Sequence, residues 1–451
     1  MLTYEHYNLI EELNRLIDSR KWREIKELLR QIPPSDFVQL LDDFDQETGL
    51  VLFRLLPKEE AARVFAQLEP QDQEALLKNL GSQRARQVIL DLPPDDRTEV
   101  FGDLPGPVTQ KILNALPPQE RKEALALLGY SEDSVGRLMT PDYIAVKPFW
   151  LISRVLDHIR SMGKDVETID IIYIVDAHWH LLDSLPLRKF ILADPDQKVE
   201  AIMDKKMVYL HADQDQEEAV KIMADYDLTA LPVTDKDNVL MGIVTVDDIL
   251  DVLEEETTED FHRVAAVAPV GIKYSSASPF TLYVKRIGWL AILMVAGFIS
   301  STIIAHFETS LQAVIALSFF IPVLIGTGGN TSTQSSTLII RALSTGELTI
   351  RKWFYVVKKE LLTGLFLGVS MGVVFLLRVI ILKEGLLLGI TLGLAVVAII
   401  MIANLLGSLL PILLTKLKLD PAVISSPLLT TVVDALGLLI YFSIAGLIFS
   451  L

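Results

Sequence analysis

The feature that most constrains this fold is a polar stretch inside an otherwise apolar C-terminal segment, IPVLIGTGGNTSTQSSTLIIRAL, from Ile321 to Leu343. The segment is long enough to cross a bilayer, yet it carries glycines, hydroxyls and two amides. An unsatisfied polar group in hydrocarbon costs several kcal/mol, so lipid cannot easily surround such a helix. A helix with this sequence must face something other than lipid.

Charge divides the chain into two parts. Residues 281–451 hold 6 acidic and 11 basic side chains, net +5, whereas residues 1–280 hold 52 acidic and 30 basic side chains, net −22. We interpret this as a membrane part joined to a strongly acidic soluble part. An acidic surface of this size repels nucleic acid and favours cations, so no nucleic-acid partner is expected.

The sequence lacks the residues that several kinds of site and enzyme need. The chain has no cysteine, which excludes disulfides, thiolate metal sites and cysteine nucleophiles. It has no His-Glu-x-x-His, P-loop, nucleophile elbow or Rossmann motif, so we expect neither an enzyme nor an ATP-driven pump. His178 and His180 in DAHWHLL resemble a metal pair, but their place in a strand turn favours an ordinary surface loop. The N-terminus predicts an amphipathic helix rather than a signal peptide, which favours a cytoplasmic soluble part.

Five C-terminal segments are apolar enough to be membrane spans, approximately 284–305, 311–342, 353–382, 385–416 and 422–451. Nine Lys and Arg residues flank one side of these spans: Lys285, Arg286, Arg341, Arg351, Lys352, Lys358, Lys359, Lys416 and Lys418. Only Arg378 and Lys383 flank the other side. The positive-inside rule then predicts a multi-pass protein of the cell membrane with a cytoplasmic N-terminus and an external C-terminus.

Polar residues within the spans recur at steps of three and four, which places them along helix stripes. The stripes comprise Gly326, Gly329, Asn330, Thr333, Gln334 and Thr337 on the second span, Asn404, Gly407, Ser408 and Pro411 on the fourth, and Thr430, Thr431, Asp434 and Gly437 on the fifth. Small residues also let helices pack closely, which is the alternative interpretation for the glycines.

Asp434 favours an ion path over simple packing. A carboxylate within a span costs about 2.5 to 3.5 kcal/mol, and its span holds no Lys or Arg to neutralise it. Oxygen ligands without Cys or His suit hard cations such as Mg²⁺, which sheds its water reluctantly and would pass largely hydrated. The candidate pore residues are Asp434, Asn330, Gly329, Gln334, Thr337 and Thr430.

The soluble part contains two consecutive regions with different sequence patterns. From about Leu28 to Leu128, proline recurs at predicted helix starts (QIPPSD, LEPQDQ, LPPDDR, ALPPQE), which predicts stacked short helices. From about Arg137 to Glu255, strands and helices alternate in two copies, and the second copy ends GIVTVDDIL. This repeat resembles a tandem pair of CBS domains.

The CBS resemblance implies that Thr245 and Asp248 hold a nucleotide such as ATP. The first copy departs from that pattern, because Pro186 and Lys189 stand at the corresponding places.

The whole chain, with PVLIGTGGNTSTQ and DPAVISSPLLTTVVDALG in its spans, resembles the MgtE family of magnesium channels. The resemblance implies a helical acidic N-domain (1–130), CBS domains (131–200 and 201–256), a linker or plug helix (257–280) and a five-helix membrane domain (281–451). It also implies a homodimer in the lipid bilayer, whose axial pore has Asp434 as the selectivity carboxylate. Ser332 and Thr333 stand where the family has a second Gly and Asn.

The family reading also implies a sensor in which cytoplasmic Mg²⁺ bridges acidic side chains and closes the pore. The candidate sensing residues are Asp95, Glu99, Asp215, Glu217, Asp227, Asp248, Asp251, Glu256, Glu259 and Asp260. Their alternative role is to solvate helix surfaces. The alternative transport mechanism is a proton-coupled divalent-cation exchanger, because both mechanisms need a buried acid on a wet path. A membrane-anchored scaffold without transport is disfavoured by the polar stripes.

Overall fold

The computed structural model describes residues 3–164, 166–269, 274, 277–344, 347–417, 419 and 426–450. The chain divides into two compact units, Met1–Glu254 and Glu255–Leu451. The predicted start of the fifth span at Ala422, and Lys418, lie outside the described residues.

The first unit begins with ten short helices. They are α1 (Thr3–Asp18), α2 (Trp22–Leu29), α3 (Pro34–Leu41), α4 (Gln46–Leu55), α5 (Lys58–Ala66), α6 (Pro70–Asn79), α7 (Ser82–Leu90), α8 (Pro94–Asp103), α9 (Gly106–Ala115) and α10 (Pro118–Leu127). Proline opens four of them, where its missing N–H and fixed φ fit the first turn. Their apolar faces share one core that includes Leu13, Phe37, Phe53 and Phe65. The predicted proline-punctuated helical domain is confirmed.

Two small three-stranded sheets of identical topology follow. Helix α11 (Val135–Leu138) comes first in the chain and packs against the second copy. The first copy holds β1 (Ala145–Val146), α12 (Ile152–Met162), β2 (Ile171–Val175), β3 (Leu181–Pro186) and α13 (Leu187–Leu192). The second holds β4 (Leu210–His211), α14 (Gln216–Tyr226), β5 (Ala230–Thr234) and β6 (Leu240–Thr245). In each copy the first strand pairs parallel with the second, which pairs antiparallel with the third. The predicted internal repeat is confirmed.

Helix α15 (Val246–Val264) follows β6 directly. It carries the acidic run that begins VDDILD, so these acids lie on one continuous helix. A separate linker helix at 257–280 was expected. In the structure, residues 257–264 of this range form the end of α15 and the next helix begins at Pro279, while residues 270–273, 275 and 276 lie outside the described residues.

The second unit is helical: α16 (Pro279–His306), α17 (Glu308–Ala313), α18 (Ala316–Ser344), α19 (Trp353–Leu382), α20 (Leu386–Lys416) and α21 (Ser426–Phe449). Four stretches of the described residues are long and apolar enough to cross a membrane: 279–306, 350–382, 386–416 and 426–449. Helix α18 has the length, 29 residues, but its polar stripe lowers its hydropathy. The predicted second segment, 311–342, corresponds to α18, which begins at Ala316, while residues 311–313 belong to α17.

Glycine lets the membrane helices approach closely. A Cβ at Gly368 on α19 would lie 2.9 Å from the Cα of Val397 on α20. A Cβ at Gly407 on α20 would overlap the carbonyl oxygen of Ser332 on α18. At the other end of the bundle, the hydroxyl of Tyr441 donates to the carbonyl oxygen of Leu317 over 2.9 Å. The last two contacts fix the position of α18 against α20 and α21.

Candidate functional site

Helix α18 has two polar faces with different environments. Gly328, Gly329, Ser332, Ser335 and Ser336 are buried against neighbouring helices. The opposite face exposes a stripe at steps of four, four and three residues, which we call the α18 stripe: Gly326, Asn330, Gln334 and Thr337. The sequence predicted these residues on one helix, but it did not separate the glycine and serine packing face from the amide-bearing face.

Asp434 lies on α21 beside the packing face of α18. Its Oδ1 atom is buried and has no hydrogen-bond partner among the described residues. Thr430, one turn earlier, contacts Gly329, since a Cβ there would lie 2.6 Å from the Thr430 Cγ2. Val433, next to Asp434, is 3.1 Å from the Cβ position of Gly328. The predicted pore residues Asp434, Thr430 and Gly329 are therefore grouped by the packing of α18 on α21.

A second membrane carboxylate was missed by sequence reasoning. Ser335 on α18 donates to Glu360 Oε2 on α19 over 3.0 Å and also lies 3.2 Å from the carbonyl oxygen of Asn404 on α20. The Asn404 amide in turn donates to the Glu360 carbonyl over 3.3 Å. This node joins three helices directly behind Gln334 of the α18 stripe. Its sequence signal was an acid seven residues inside a predicted span.

An acidic cluster forms where α8 approaches the start of α15. Burial, and then the charges of Asp248, Asp96 and Glu167, raise the pKa of Asp95 well above its usual range. Burial with the charges of Asp247 and Asp251 raises the pKa of Asp96 to about 6. Burial, opposed by the hydroxyl of Thr245, raises the pKa of Asp248 to about 7. Carboxylates that raise one another's pKa lie close together and favour a shared cation.

Glu99 belongs to this cluster as well. Displacement of water by the surrounding protein, and then the charges of Asp103 and Asp96, raise its pKa to about 7. Its side chain nevertheless reaches solvent, so screening by water reduces this effect. Asp251 has a raised pKa, chiefly from burial and then from Glu254. The structure thus brings together Asp95, Glu99, Asp248 and Asp251, all named from the sequence, and adds Asp96, Asp247 and Glu167.

The other candidate sensing residues lie elsewhere in the fold. Asp215 caps α14, where its side chain accepts from the Glu217 amide over 2.9 Å, and Glu217 pairs with Lys221 at 3.1 Å. Asp227 ends α14 with a left-handed backbone. Glu259 pairs with Arg263, while Glu256 and Asp260 lie on the same second half of α15. Local caps and ion pairs account for Asp215, Glu217 and Glu259.

Among the described residues, no three His, Asp or Glu side chains converge tightly enough to form a closed metal site. The α8–α15 cluster therefore presents separated carboxylates. Such an arrangement suits a hydrated ion, because Mg²⁺ keeps several waters and binds through one or two carboxylates.

A cavity of about 740 Å³ lies between the two sheet copies. Its polar lining includes Ser184, Arg188, Lys206 and Thr229. The lining also includes Asp170 and Asp227, so the cavity offers two basic side chains for an anionic group, two carboxylates for hydroxyl donors and apolar walls for a flat part of a ligand. The lining contains neither Thr245 nor Asp248, the pair expected to hold a nucleotide. Those two bond each other instead, with 2.7 Å between Thr245 Oγ1 and Asp248 Oδ2, beside the acidic cluster.

Comparison with protein families assigns three parts of the chain. Residues 321–444 match the MgtE family of divalent cation transporters. Residues 32–133 match the MgtE intracellular N domain, and residues 199–255 match the CBS domain.

Relatives match most of the chain. The magnesium transporter MgtE of Thermus thermophilus is 48% identical over 72% of each chain, and that of Bacillus subtilis is 37% identical over 71% of this chain and 70% of its own. A crystal structure of the cytosolic domain of the Mg²⁺ channel MgtE in complex with ATP aligns with a TM-score of 0.53 at 40% identity. It covers 54% of this chain and 99% of its own. Since the family models match this chain and a relative 48% identical to it is covered over 72% of its length, the chain belongs to the MgtE family.

Proposed function

We propose that this protein carries Mg²⁺ across the cell membrane along a path that includes Asp434 and the α18 stripe. The observation that carries the proposal is the α18 stripe itself, two amides and a hydroxyl exposed on an apolar helix bundle. Relatives at 48% and 37% identity are named magnesium transporters. Oxygen-only ligands on this path suit a hard, hydrated cation.

The polar stripe also supports a homodimer. Asn330 and Gln334 point away from the other helices of their own chain. In lipid, their amides would cost several kcal/mol each, so a second copy or a water-filled path must cover them. A twofold pairing on this face places both stripes, and both copies of Asp434 behind them, along one axis. The cytoplasmic N-terminus and external C-terminus follow from the charge distribution around the spans.

We further propose that cytoplasmic Mg²⁺ closes the path through the α8–α15 cluster. Without an ion, the mutual repulsion of Asp95, Asp96 and Asp248 opposes their approach. A bound hydrated ion reverses this repulsion and draws the helical N-domain to α15, which leads toward the membrane helices. Uptake then falls as cytoplasmic Mg²⁺ rises.

The cavity between the sheet copies is the place we propose for a nucleotide. A relative's cytosolic domain at 40% identity was crystallised with ATP. Arg188 and Lys206 supply cations for the phosphates, and Ile171 and Val208 supply apolar wall. We expect Arg188→Ala to weaken ATP binding to the purified protein, while Arg160→Ala, on an exposed face of α12, leaves it unchanged.

The transport proposal is tested by Mg²⁺ uptake into proteoliposomes. Asp434→Asn should abolish uptake, whereas Glu308→Gln, which changes a carboxylate outside the long helices, should retain it. Uptake that continues in Asp434→Asn at the native rate would remove Asp434 from the path. Uptake that follows the Mg²⁺ gradient under a pH clamp indicates a channel, and strict dependence on a proton gradient indicates an exchanger.

The sensing proposal is tested by limited proteolysis. Mg²⁺ should protect the soluble part of the native chain, and Asp95→Asn with Asp248→Asn should weaken that protection. Glu24→Gln, at an exposed pair with Lys21, is the matched control. Equal cleavage with and without Mg²⁺ in the native chain would remove the sensing role.

A further inference from the structure

The turn between β2 and β3 holds a pair of histidines in a fixed arrangement. His178 and His180 flank Trp179, and their ring centroids are 6.1 Å apart. The corresponding turn of the second copy, between β5 and β6, has the sequence Asp235-Lys236-Asp237-Asn238-Val239. The two turns share their backbone and differ in their side chains, so the histidines belong to the first copy alone.

Asp176 fixes both the turn and one imidazole. Its Oδ1 accepts from the amides of His178 and His180 over 2.8 and 2.9 Å, as Oδ1 of Asp235 does in the second copy. Its Oδ2 lies 2.8 Å from Nδ1 of His180. In the tautomer whose Nδ1–H donates to this carboxylate, Nε2 of the neutral ring keeps its lone pair for a metal ion.

Trp179 occupies an unfavourable backbone conformation, with φ 68. Asn238 occupies the same position in the second copy, φ 60, where an asparagine is well tolerated. A bulky aromatic residue there stores strain of the kind that accompanies functional sites. Lys147 holds it, because its ammonium lies 4.8 Å from the indole centroid and donates to the Asp176 carbonyl over 2.6 Å.

Backbone hydrogen bonds with the second copy also hold this turn in place. The Leu181 amide donates to the Asn238 carbonyl over 3.0 Å, and the Leu240 amide donates to the Trp179 carbonyl over 2.9 Å. Both histidines therefore project from a backbone that is bonded on two sides. Preorganised ligands lose less entropy on binding an ion.

We propose that His178 and His180 form a binding site for a borderline transition-metal ion such as Zn²⁺, Ni²⁺ or Cu²⁺, with Asp176 orienting His180 and water completing the coordination. Two imidazoles on one tetrahedral ion, with metal–nitrogen bonds of about 2.0–2.1 Å, have ring centroids about 5 Å apart, so the exposed His178 ring must move by about 1 Å to share an ion with His180. A carboxylate behind a metal-binding histidine is the usual orienting partner. Imidazole ligands select these metals over Mg²⁺, so the site differs chemically from the oxygen-lined sites.

The test is a calorimetric titration of the detergent-solubilised full chain with Zn²⁺. Saturating Mg²⁺ is present throughout, so that sites with oxygen ligands are already occupied. The native chain should bind one equivalent more Zn²⁺ than the double variant His178→Gln/His180→Gln. Asp176→Asn should weaken this binding by about 10-fold to 100-fold, the usual cost of removing an orienting carboxylate. His158→Gln, on α12 of the same copy, is the matched control and should leave the titration unchanged.

Cu²⁺ provides a second readout, because a bound Cu²⁺ quenches a neighbouring indole. Cu²⁺ should quench the fluorescence of Trp179, measured as the difference between the native chain and Trp179→Phe. Native Zn²⁺ stoichiometry and affinity in the double histidine variant, with its melting temperature unchanged, would overturn the proposal. Mg²⁺ uptake does not enter this test, so its outcome is separate from the transport proposal.

Discussion

The hydroxyl of Ser335 donates to Glu360 Oε2 over 3.0 Å, and this bond joins α18 to α19 within the membrane unit. Ser335 follows Gln334 of the α18 stripe directly, about 100° further around the helix, and is buried in the bundle whereas Gln334 is exposed. The position of the α18 stripe therefore depends on a bond made behind it.

Ser335→Ala removes the hydroxyl group that donates a hydrogen bond to the Glu360 carboxylate. We expect a loss of about 1–3 kcal/mol in the free energy of unfolding, because a partly buried carboxylate loses a hydrogen-bond donor. Denaturant unfolding in detergent measures it. Ser370→Ala, on α19, is the control, since the exposed Ser370 hydroxyl donates to the Phe366 carbonyl of its own helix. Equal stability of the two variants would contradict a structural role for this bond.

Gly407→Ala places a methyl group against the Ser332 carbonyl, where no space exists. We expect a destabilisation of about 1–3 kcal/mol from overpacking between α18 and α20. Gly297→Ala, on α16, is the matched control, because nothing lies within 4 Å of its Cβ position. The control should be neutral or gain up to about 1 kcal/mol from helix propensity. A native unfolding midpoint for Gly407→Ala would show that α18 and α20 do not pack this closely.

Gln334→Cys tests the pairing of two α18 stripes. The chain has no cysteine, so a single introduced thiol reacts alone. We expect a short bifunctional thiol reagent to link two copies of Gln334→Cys in the membrane, because the stripes face each other across the proposed axis. Val373→Cys, on an exposed face of α19, should give little cross-linked product. Similar yields from both positions would argue against the axis.

The acidic cluster predicts a pH dependence. The pKa values of Asp95, Asp96 and Asp248 are raised in the folded chain, so the folded state favours their protonated forms. Stability without Mg²⁺ should therefore be greater at low pH and fall as the pH rises from about 4 through 6 to 7, between the ordinary and the raised pKa values. The melting temperature of the first unit within the full chain, measured in EDTA, checks this.

Mg²⁺ should remove most of this pH dependence, because the ion replaces the protons as the neutralising charge. Asp95→Asn should also reduce the change of melting temperature with pH. Asp36→Asn, on α3 outside the cluster, should leave that change as it is in the native chain. A melting temperature that rises with pH over this interval in EDTA would contradict the prediction.

The sequence by itself determined the main divisions of the chain. Proline at helix starts predicted the N-terminal helices, since its missing N–H and fixed φ fit the first turn without loss of a hydrogen bond, and the alternating pattern predicted two sheet copies with one topology. Helical spacing also placed Asn330, Gln334 and Thr337 on one stripe, and the lone Asp434 marked the candidate path. These are local properties, because residues three or four apart share a helix face in any context.

Only the tertiary structure decided which distant groups meet. Glu360, Ser335 and Asn404 come from three helices, and Asp96, Asp248 and Glu167 come from three parts of the first unit; no sequence spacing connects them. Thr245 and Asp248 fit a nucleotide motif, yet the fold turns them toward the acidic cluster and leaves the cavity to Arg188 and Lys206. Burial and the electrostatic field depend on all neighbouring elements together, whereas periodicity depends on one element alone.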